Sequence, residues 1–258
     1  MKIIYSLPAL CVCLVGCKDK SVLQDRLGKP PVISEIKVNG KRQTEFIYNA
    51  ENKPIEIRKY FDDGKNIWES RRYTYVGAQV IREEFWSSHP LYLSSWPVPG
   101  KPLTLQALTG YEYGPQPSLP VKELHYAADG KQILSYTLHT YSTAGNRTKS
   151  QTFAPDRREV LANTYDYDTR GNVTQWATSY WEYDTHYNPF QQLPLPFTNP
   201  SWGSPNNATA NFGKDAAGNK VNVWSYEYTY DAQWDFPLTL KTFVDGKLMN
   251  QSEFSYRP

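Results

Sequence analysis

The chain has 258 residues with 28 basic and 26 acidic side chains, a formal net charge of +2. Neither a basic stripe suited to nucleic acid nor an acidic tail is present, and a mean hydropathy of −0.64 excludes a multi-span membrane protein. Twenty Tyr and 8 Trp against 10 Phe and 2 Met suit half-buried sheet surfaces better than a dry, thick core, because Tyr and Trp join an apolar body to a polar handle.

The N-terminus reads as a secretory leader. Lys2 precedes an apolar run, Ile3 to Val15, shorter than the roughly 20 residues of a bilayer span. The run ends in Leu14-Val15-Gly16-Cys17, which resembles the lipobox of bacterial lipoproteins. That resemblance implies a signal peptide over residues 1–16, cleavage before Cys17, and acyl chains on the thiol and new amino group of Cys17. Each buried CH₂ of such a chain contributes ~0.8 kcal/mol, and stable anchoring takes more than one chain. The expected partner is therefore a membrane, reached through Cys17. Lys18 stands where enterobacterial lipoproteins retained in the inner membrane carry Asp, so the expected address is the outer membrane. Cys11 and Cys13 fall inside the leader, which leaves no thiol for a disulfide, a metal cluster or a nucleophile. Residues 17–32 form a polar tether closed by Pro30-Pro31.

From residue 33 to 258 the pattern is β. Ile33 to Val38 leads into Asn39-Gly40, a two-residue hairpin signal. Phe46 and Tyr48 alternate with Glu45 and Ile47, and Glu51-Asn52-Lys53 turns the chain into Ile55, Ile57 and Phe61. Asp63-Gly64 and Val76-Gly77 make the next turns, around Tyr73 and Tyr75. Residues 87–120 break the alternation with seven prolines, which remove ladder donors, and read as a long loop. The hairpins resume at Glu123 to Tyr126, turn at Asp129-Gly130 and Gly145-Asn146, and continue through Thr164–Tyr183, read as strand, tight turn, strand. A second Pro-rich loop, 184–220, follows. Val221 to Tyr230 is the cleanest strand, with Trp224, Tyr226, Tyr228 and Tyr230 on one face. Leu238 to Val244, Asp245-Gly246 and Glu253 to Tyr256 complete the meander.

One unit recurs. Tyr48 to Ile55, Tyr126 to Ile133, Tyr141 to Thr148 and Tyr167 to Thr174 align on their tyrosine and turn residues, the signature of repeated supersecondary units that bury their faces against one another. Tyr167-Asp168-Thr169-Arg170-Gly171-Asn172-Val173-Thr174 resembles the YD repeat of Rhs proteins. The wider arrangement is similar to repeat-bearing lipoproteins of Bacteroidota, including a domain of unknown function described as porin-like. Tyr183-Asp184, Asn188-Pro189-Phe190 and Tyr228-Thr229-Tyr230-Asp231 carry that likeness, while Asp235-Phe236 stands where Gly-Tyr is usual. The resemblance implies an antiparallel, curved sheet without an established activity. The expected fold is thus all-β: an antiparallel meander of hairpins forming a large curved sheet or incomplete barrel, soluble because Arg58, Lys59, Arg82, Glu84 and Lys241 interrupt any lipid-facing stripe.

No chemistry declares itself. His89, His125, His139 and His186 lack metal-ligand spacing, although His125 and His139 could face each other across the Asp129-Gly130 hairpin. Nucleophile elbows and phosphate-binding glycine loops are absent, no cofactor is implied, and the turn carboxylates are explained as caps. The two Pro-rich loops are the candidate binding sites, with Tyr92, Trp96, Phe197 and Trp202 able to stack on a glycan or an envelope protein. The expected function is a non-enzymatic binding or scaffold module of the cell envelope. A glycan-acting enzyme and a purely structural envelope element are the alternatives.

Overall fold

The structure, a computed structural model, describes residues 30–89, 98–115, 119–196 and 200–258, and Val32–Arg257 form one compact unit. Cys17, Tyr92, Trp96 and Phe197 lie outside the described residues. Sixteen strands run in chain order. The first eight are β1 (Val32–Val38), β2 (Lys41–Tyr48), β3 (Pro54–Tyr60), β4 (Ile67–Val76), β5 (Gln79–Ser87), β6 (Thr104–Tyr113), β7 (Pro120–Ala127) and β8 (Ile133–Tyr141). The rest are β9 (Arg147–Phe153), β10 (Glu159–Tyr167), β11 (Val173–Trp176), β12 (Ser179–Tyr187), β13 (Asn206–Lys214), β14 (Lys220–Tyr230), β15 (Pro237–Val244) and β16 (Lys247–Arg257).

Each strand pairs antiparallel with its chain neighbours, and β1 pairs with β16 through Ile33↔Tyr256, Ile36↔Phe254 and Val38↔Ser252. The barrel is closed, which corrects the expected curved sheet or incomplete barrel. Closure follows from strands hidden in the stretches read as loops. β6 divides 87–120, because its flanking prolines sit in the connections on either side of it. β13 divides 184–220; its Asn- and Ala-rich sequence has little intrinsic strand preference and is held by β12 and β14. A third hidden connection splits Thr164–Tyr183, where Ala177 takes φ +52° in a two-residue turn between β11 and β12.

Paired residues share a face of the wall, and successive residues alternate. Phe46, Ile57, Tyr73, Tyr111 and Val80 are buried in the core with Ile33, which sets the inward face. The outward face is charged. Arg58 and Arg72 meet Glu56 at 2.8 and 3.3 Å, Arg82 meets Glu84 at 3.0 Å, Lys122 meets Glu112 at 3.0 Å and Lys220 meets Glu182 at 2.6 Å.

The recurring tyrosine builds one rim, except that Tyr126, aligned with Tyr48, Tyr141 and Tyr167 in the sequence, ends the odd-numbered β7 at the opposite end of the barrel. Tyr48, Tyr75, Tyr113, Tyr141, Tyr167, Tyr183, Tyr228 and Tyr256 each come from an even-numbered strand. Their hydroxyls donate to the carbonyls of Ile33, Pro54, Val80, Pro120, Arg147, Val173, Ala208 and Pro237 in turn, at 2.5–3.0 Å. The acceptor heads the preceding odd-numbered strand. In most hairpins the register also shifts at the tyrosine, as between Ile47 and Tyr48, Thr74 and Tyr75, Glu112 and Tyr113, and Asp166 and Tyr167. Such a bulge bends the wall and re-aims a side chain, and the phenol satisfies a carbonyl where the ladder is disturbed.

Candidate functional site: the plugged lumen

The described residues of the β12–β13 connection, 188–196 and 200–205, plug the tyrosine rim. Asn188 organises it. Its Oδ1 accepts from the Phe190 amide at 3.1 Å, capping a single 3₁₀ turn over Pro189–Gln192, and its Nδ2 donates to the Ser201 and Ser204 carbonyls at 2.7 and 2.9 Å. Asn followed by Pro is a helix-start signature, since Asn caps and Pro supplies the fixed φ. Leu193 is buried with Ile33, Phe46 and Ile57, and Phe190 lies 6.1 Å from the Phe46 ring. The far end of the plug is tied to the wall. Asn172, fully buried, exchanges hydrogen bonds with Asn206 at 2.9 and 3.0 Å, and the Val173 amide donates to Ser204 Oγ at 3.1 Å. Gly171 takes the left-handed conformation at φ +88° in this turn, while the Asp168 carboxylate accepts from the Arg170 and Asn172 amides at 2.9 Å.

Two cavities flank the plug. The larger, about 700 Å³, lies between Phe190, Leu193 and Leu195 of the plug and a wall bearing Tyr113, Tyr141, Arg147, Tyr165 and Tyr167. Its volume is that of a small-molecule pocket. The smaller, about 280 Å³, is lined by Trp202 and Phe190 of the plug and by Trp181, Tyr226, Leu240 and Phe254. Trp202, the one predicted ligand residue among those described, stacks on Phe190 with centroids 4.4 Å apart and planes 2° from parallel. It holds the plug together as well as facing a cavity. The two Pro-rich loops meet only in part: the β6–β7 connection, which closes the first, lies at the plug's end, where Leu119 and Pro120 line the larger cavity. The β5–β6 connection leaves the barrel at the end opposite to the β12–β13 plug, because connections alternate ends in an up-and-down barrel.

Beneath the larger cavity the inward wall is polar. Glu123 and His139 are buried, with His139 Nε2 2.9 Å from Glu123 Oε1 and Nδ1 2.9 Å from Ser150 Oγ. Ser150 continues to the Tyr165 hydroxyl at 3.1 Å, and His125 Nε2 lies 3.1 Å from Thr137 Oγ1. A second cluster joins Arg71 to Glu83 at 2.7 Å and to Glu69 at 3.1 Å, with Tyr111 donating to Glu83 at 3.2 Å. Burial pushes the Glu123 carboxyl up, but the hydrogen bond and charge of His139, with Arg147 and His125 behind it, outweigh that and leave it below the usual range. Burial holds the His125 imidazole below its ordinary value, against the pull of Glu123. It raises the rim phenols, Tyr167 to about 12.

His125 and His139 thus flank one carboxylate on a shared face and are not directly opposed across their hairpin, as the sequence had allowed. Among the described residues no three His, Cys, Asp or Glu side chains converge as a metal site. Glu123, Arg147 and Tyr165 escaped the sequence reading. The available signal was alternation: Glu123 and His125 share the face that carries the pocket tyrosines.

No family model matches the chain, and no curated protein matches it by sequence. Among solved structures it is similar to a porin-like protein from Bacteroides uniformis, at 10% identity and TM-score 0.53, over 88% of this chain and 99% of that one. A porin-like protein from Bacteroides vulgatus aligns at 12% identity and TM-score 0.35, over 89% of this chain and 100% of that one. A segment of the Photorhabdus luminescens Tc holotoxin pore aligns at 17% identity and TM-score 0.27, over 83% of this chain and 9% of that one. The first of these shows the fold: a closed, antiparallel, porin-like barrel.

Proposed function

We propose that this chain is a lipid-anchored protein of the cell envelope whose barrel works in water as a non-enzymatic binding module, holding a small ligand in the lumen beside the plug. The observation that carries this reading is the polarity of the wall. A lipid-facing barrel needs an apolar outer band and tolerates charge poorly, at about 2–4 kcal/mol for a basic side chain at mid-membrane. Here arginine and lysine side chains paired with glutamates run along the outside of the wall, at Arg58, Arg72, Arg82, Lys122 and Lys220. The lipobox-like Leu14-Val15-Gly16-Cys17 supplies the anchor that such a wall does not, and the expected site is the outer membrane. The resemblance to YD-repeat lipoproteins of Bacteroidota is consistent with both points. The turn carboxylates Asp63, Asp168 and Asp215 are drawn below the usual range by backbone amides or neighbouring side chains, the reverse of the raised pKa a general acid requires, so the glycan-acting alternative gains no support from them.

The test has two arms on the full chain. Cys17→Ser should move the protein from the membrane to the soluble fraction. Leu195→Trp, which fills the larger cavity from the plug side, should abolish saturable fluorescence enhancement of the uncharged probe N-phenyl-1-naphthylamine. Unchanged fractionation sinks the anchor, and unchanged probe binding sinks the cavity.

A further inference from the structure

Arg147 opens β9 on the inward face and lines the larger cavity. Its guanidinium lies beside the Tyr141 and Tyr165 phenols, 6.0 Å from the Tyr141 ring centroid. Among the described residues it makes no ion pair, unlike the inward Arg71, which meets two carboxylates. Glu123, the carboxylate that feels its charge, is already held by His139 at 2.9 Å. Arg170, also on the cavity, is paired with Asp168 at 3.3 Å. A guanidinium carries five N–H donors in a planar fork, and two phenol oxygens cannot occupy them all.

The neighbouring hydroxyls are committed. Tyr141 donates to the Pro120 carbonyl at 2.7 Å and Tyr167 to the Arg147 carbonyl at 2.8 Å. Trp176, whose ring stacks on Tyr165, adds a buried Nε1–H with no acceptor. This stretch of wall therefore sets a half-buried positive charge at the cavity, beside the neutral polar side chains of Gln79 and Asn146. Facing it across about 700 Å³ are the apolar Phe190, Leu193 and Leu195, with Gln191 beside them donating to the Gly203 carbonyl.

From this geometry we infer that the larger cavity takes an amphipathic monoanion, its carboxylate or sulfonate seated on Arg147 and its apolar body against the plug. The inference rests on the reading of that cavity as the ligand site and names the ligand class for it. Recognition by the fork is charge-assisted and bidentate, which lysine cannot reproduce. The hydrogen bond from His139 at 2.9 Å occupies an oxygen of Glu123, the carboxylate that would otherwise compete with the ligand.

The test compares two fluorescent probes of similar shape on the full-length protein. 1-Anilinonaphthalene-8-sulfonate carries the anion, and N-phenyl-1-naphthylamine lacks it. Arg147→Met should weaken the sulfonate by about tenfold or more while leaving the neutral probe within twofold, since a charged hydrogen bond contributes about 1.5–3 kcal/mol. Arg147→Lys should recover only part of the loss. Decanoate should displace the sulfonate from the wild type, and decanol should not. Ala78→Glu puts a negative charge on an exposed turn residue at the cavity edge and should weaken the sulfonate alone, which keeps the inference testable if the Arg147 variants do not fold. Equal binding of both probes, indifferent to Arg147 and to Ala78→Glu, overturns the anion site while leaving the cavity reading intact. Saturable binding of neither probe overturns both.

Discussion

The lumen has two walls built on one hairpin and filled in opposite ways. From β4 to β11 the inward positions carry Arg71, Glu83, Glu123, His125, His139 and Arg147 among the core residues Tyr73, Val80 and Tyr111; from β12 through β16 to β3 they carry Trp181, Tyr226, Leu240, Phe254, Ile36 and Phe46. Both walls end in the same rim of tyrosines. The repeat therefore dictates the rim and the curvature, and leaves the positions below it free. Charges taken out of water cost more than their pairing returns unless every partner is in place, so a polar wall is a poor way to gain stability. The plug presses Leu193 and Phe190 onto the apolar side and leaves the larger cavity on the polar side. The apolar wall seats the plug, and the charged wall faces the larger cavity.

The largest effect should come from unseating the plug. Phe46 is buried and touches both Phe190 and the Ile33–Ile57 cluster, so Phe46→Ala deletes a core ring and the seat of the plug together. A loss of about 3–5 kcal/mol is expected in urea unfolding. A loss below 1 kcal/mol would show that the plug and the apolar wall are not mechanically coupled.

The polar wall should be recognisable by its response to acid. His125 has a folded pKa below its ordinary value of 6.5, so its contribution is complete above pH 6.5 and is lost as pH falls through the lowered folded value. Glu123 sits below 4.5, so its contribution is complete above pH 4.5 and is lost as pH falls through its own folded value. Stability measured against pH should fall in two steps. His125→Gln should remove the upper step and leave the lower. Glu123→Leu should remove the lower step and, by leaving His139 without its acceptor, cost about 1–3 kcal/mol at neutral pH. A single acid transition, unmoved by either substitution, would mean that these groups titrate as they do in solvent.

Part of the rim was legible in the chain, because the tyrosine and its turn recur at Tyr48, Tyr141 and Tyr167, although the matching copy at Tyr126 belongs to the opposite end. The closure was not. β6 is bracketed by prolines, β13 is rich in Asn and Ala, and the β11–β12 turn at Ala177 contains no glycine. In each case pairing with neighbours overrides a weak local preference. The plug was half legible. Asn188-Pro189-Phe190 stood out as a motif, but its role depends on Ser201, Ser204, Phe46 and Ile33, which are remote in sequence or on other strands. The polar wall was least legible, since Glu123 and His139 meet only once β7 and β8 are in register, and Arg147 gains its meaning from the carboxylate it lacks.

The smallest predicted effect separates the walls where they look alike. Tyr141 and Tyr256 each donate to a proline carbonyl at 2.7 Å, one on the polar wall and one on the apolar wall. Removing either hydroxyl leaves that carbonyl short of a donor and should cost about 0.5–1.5 kcal/mol. Tyr141 also lies beside Arg147 on the larger cavity, so Tyr141→Phe changes what the guanidinium meets there, whereas Tyr256 lines neither cavity. The two variants should therefore lose similar stability in denaturant melts, yet only Tyr141→Phe should alter sulfonate-probe affinity. Equal affinity in both, at equal loss of stability, would assign the rim tyrosines to the scaffold alone and return Arg147 to a structural role beside them.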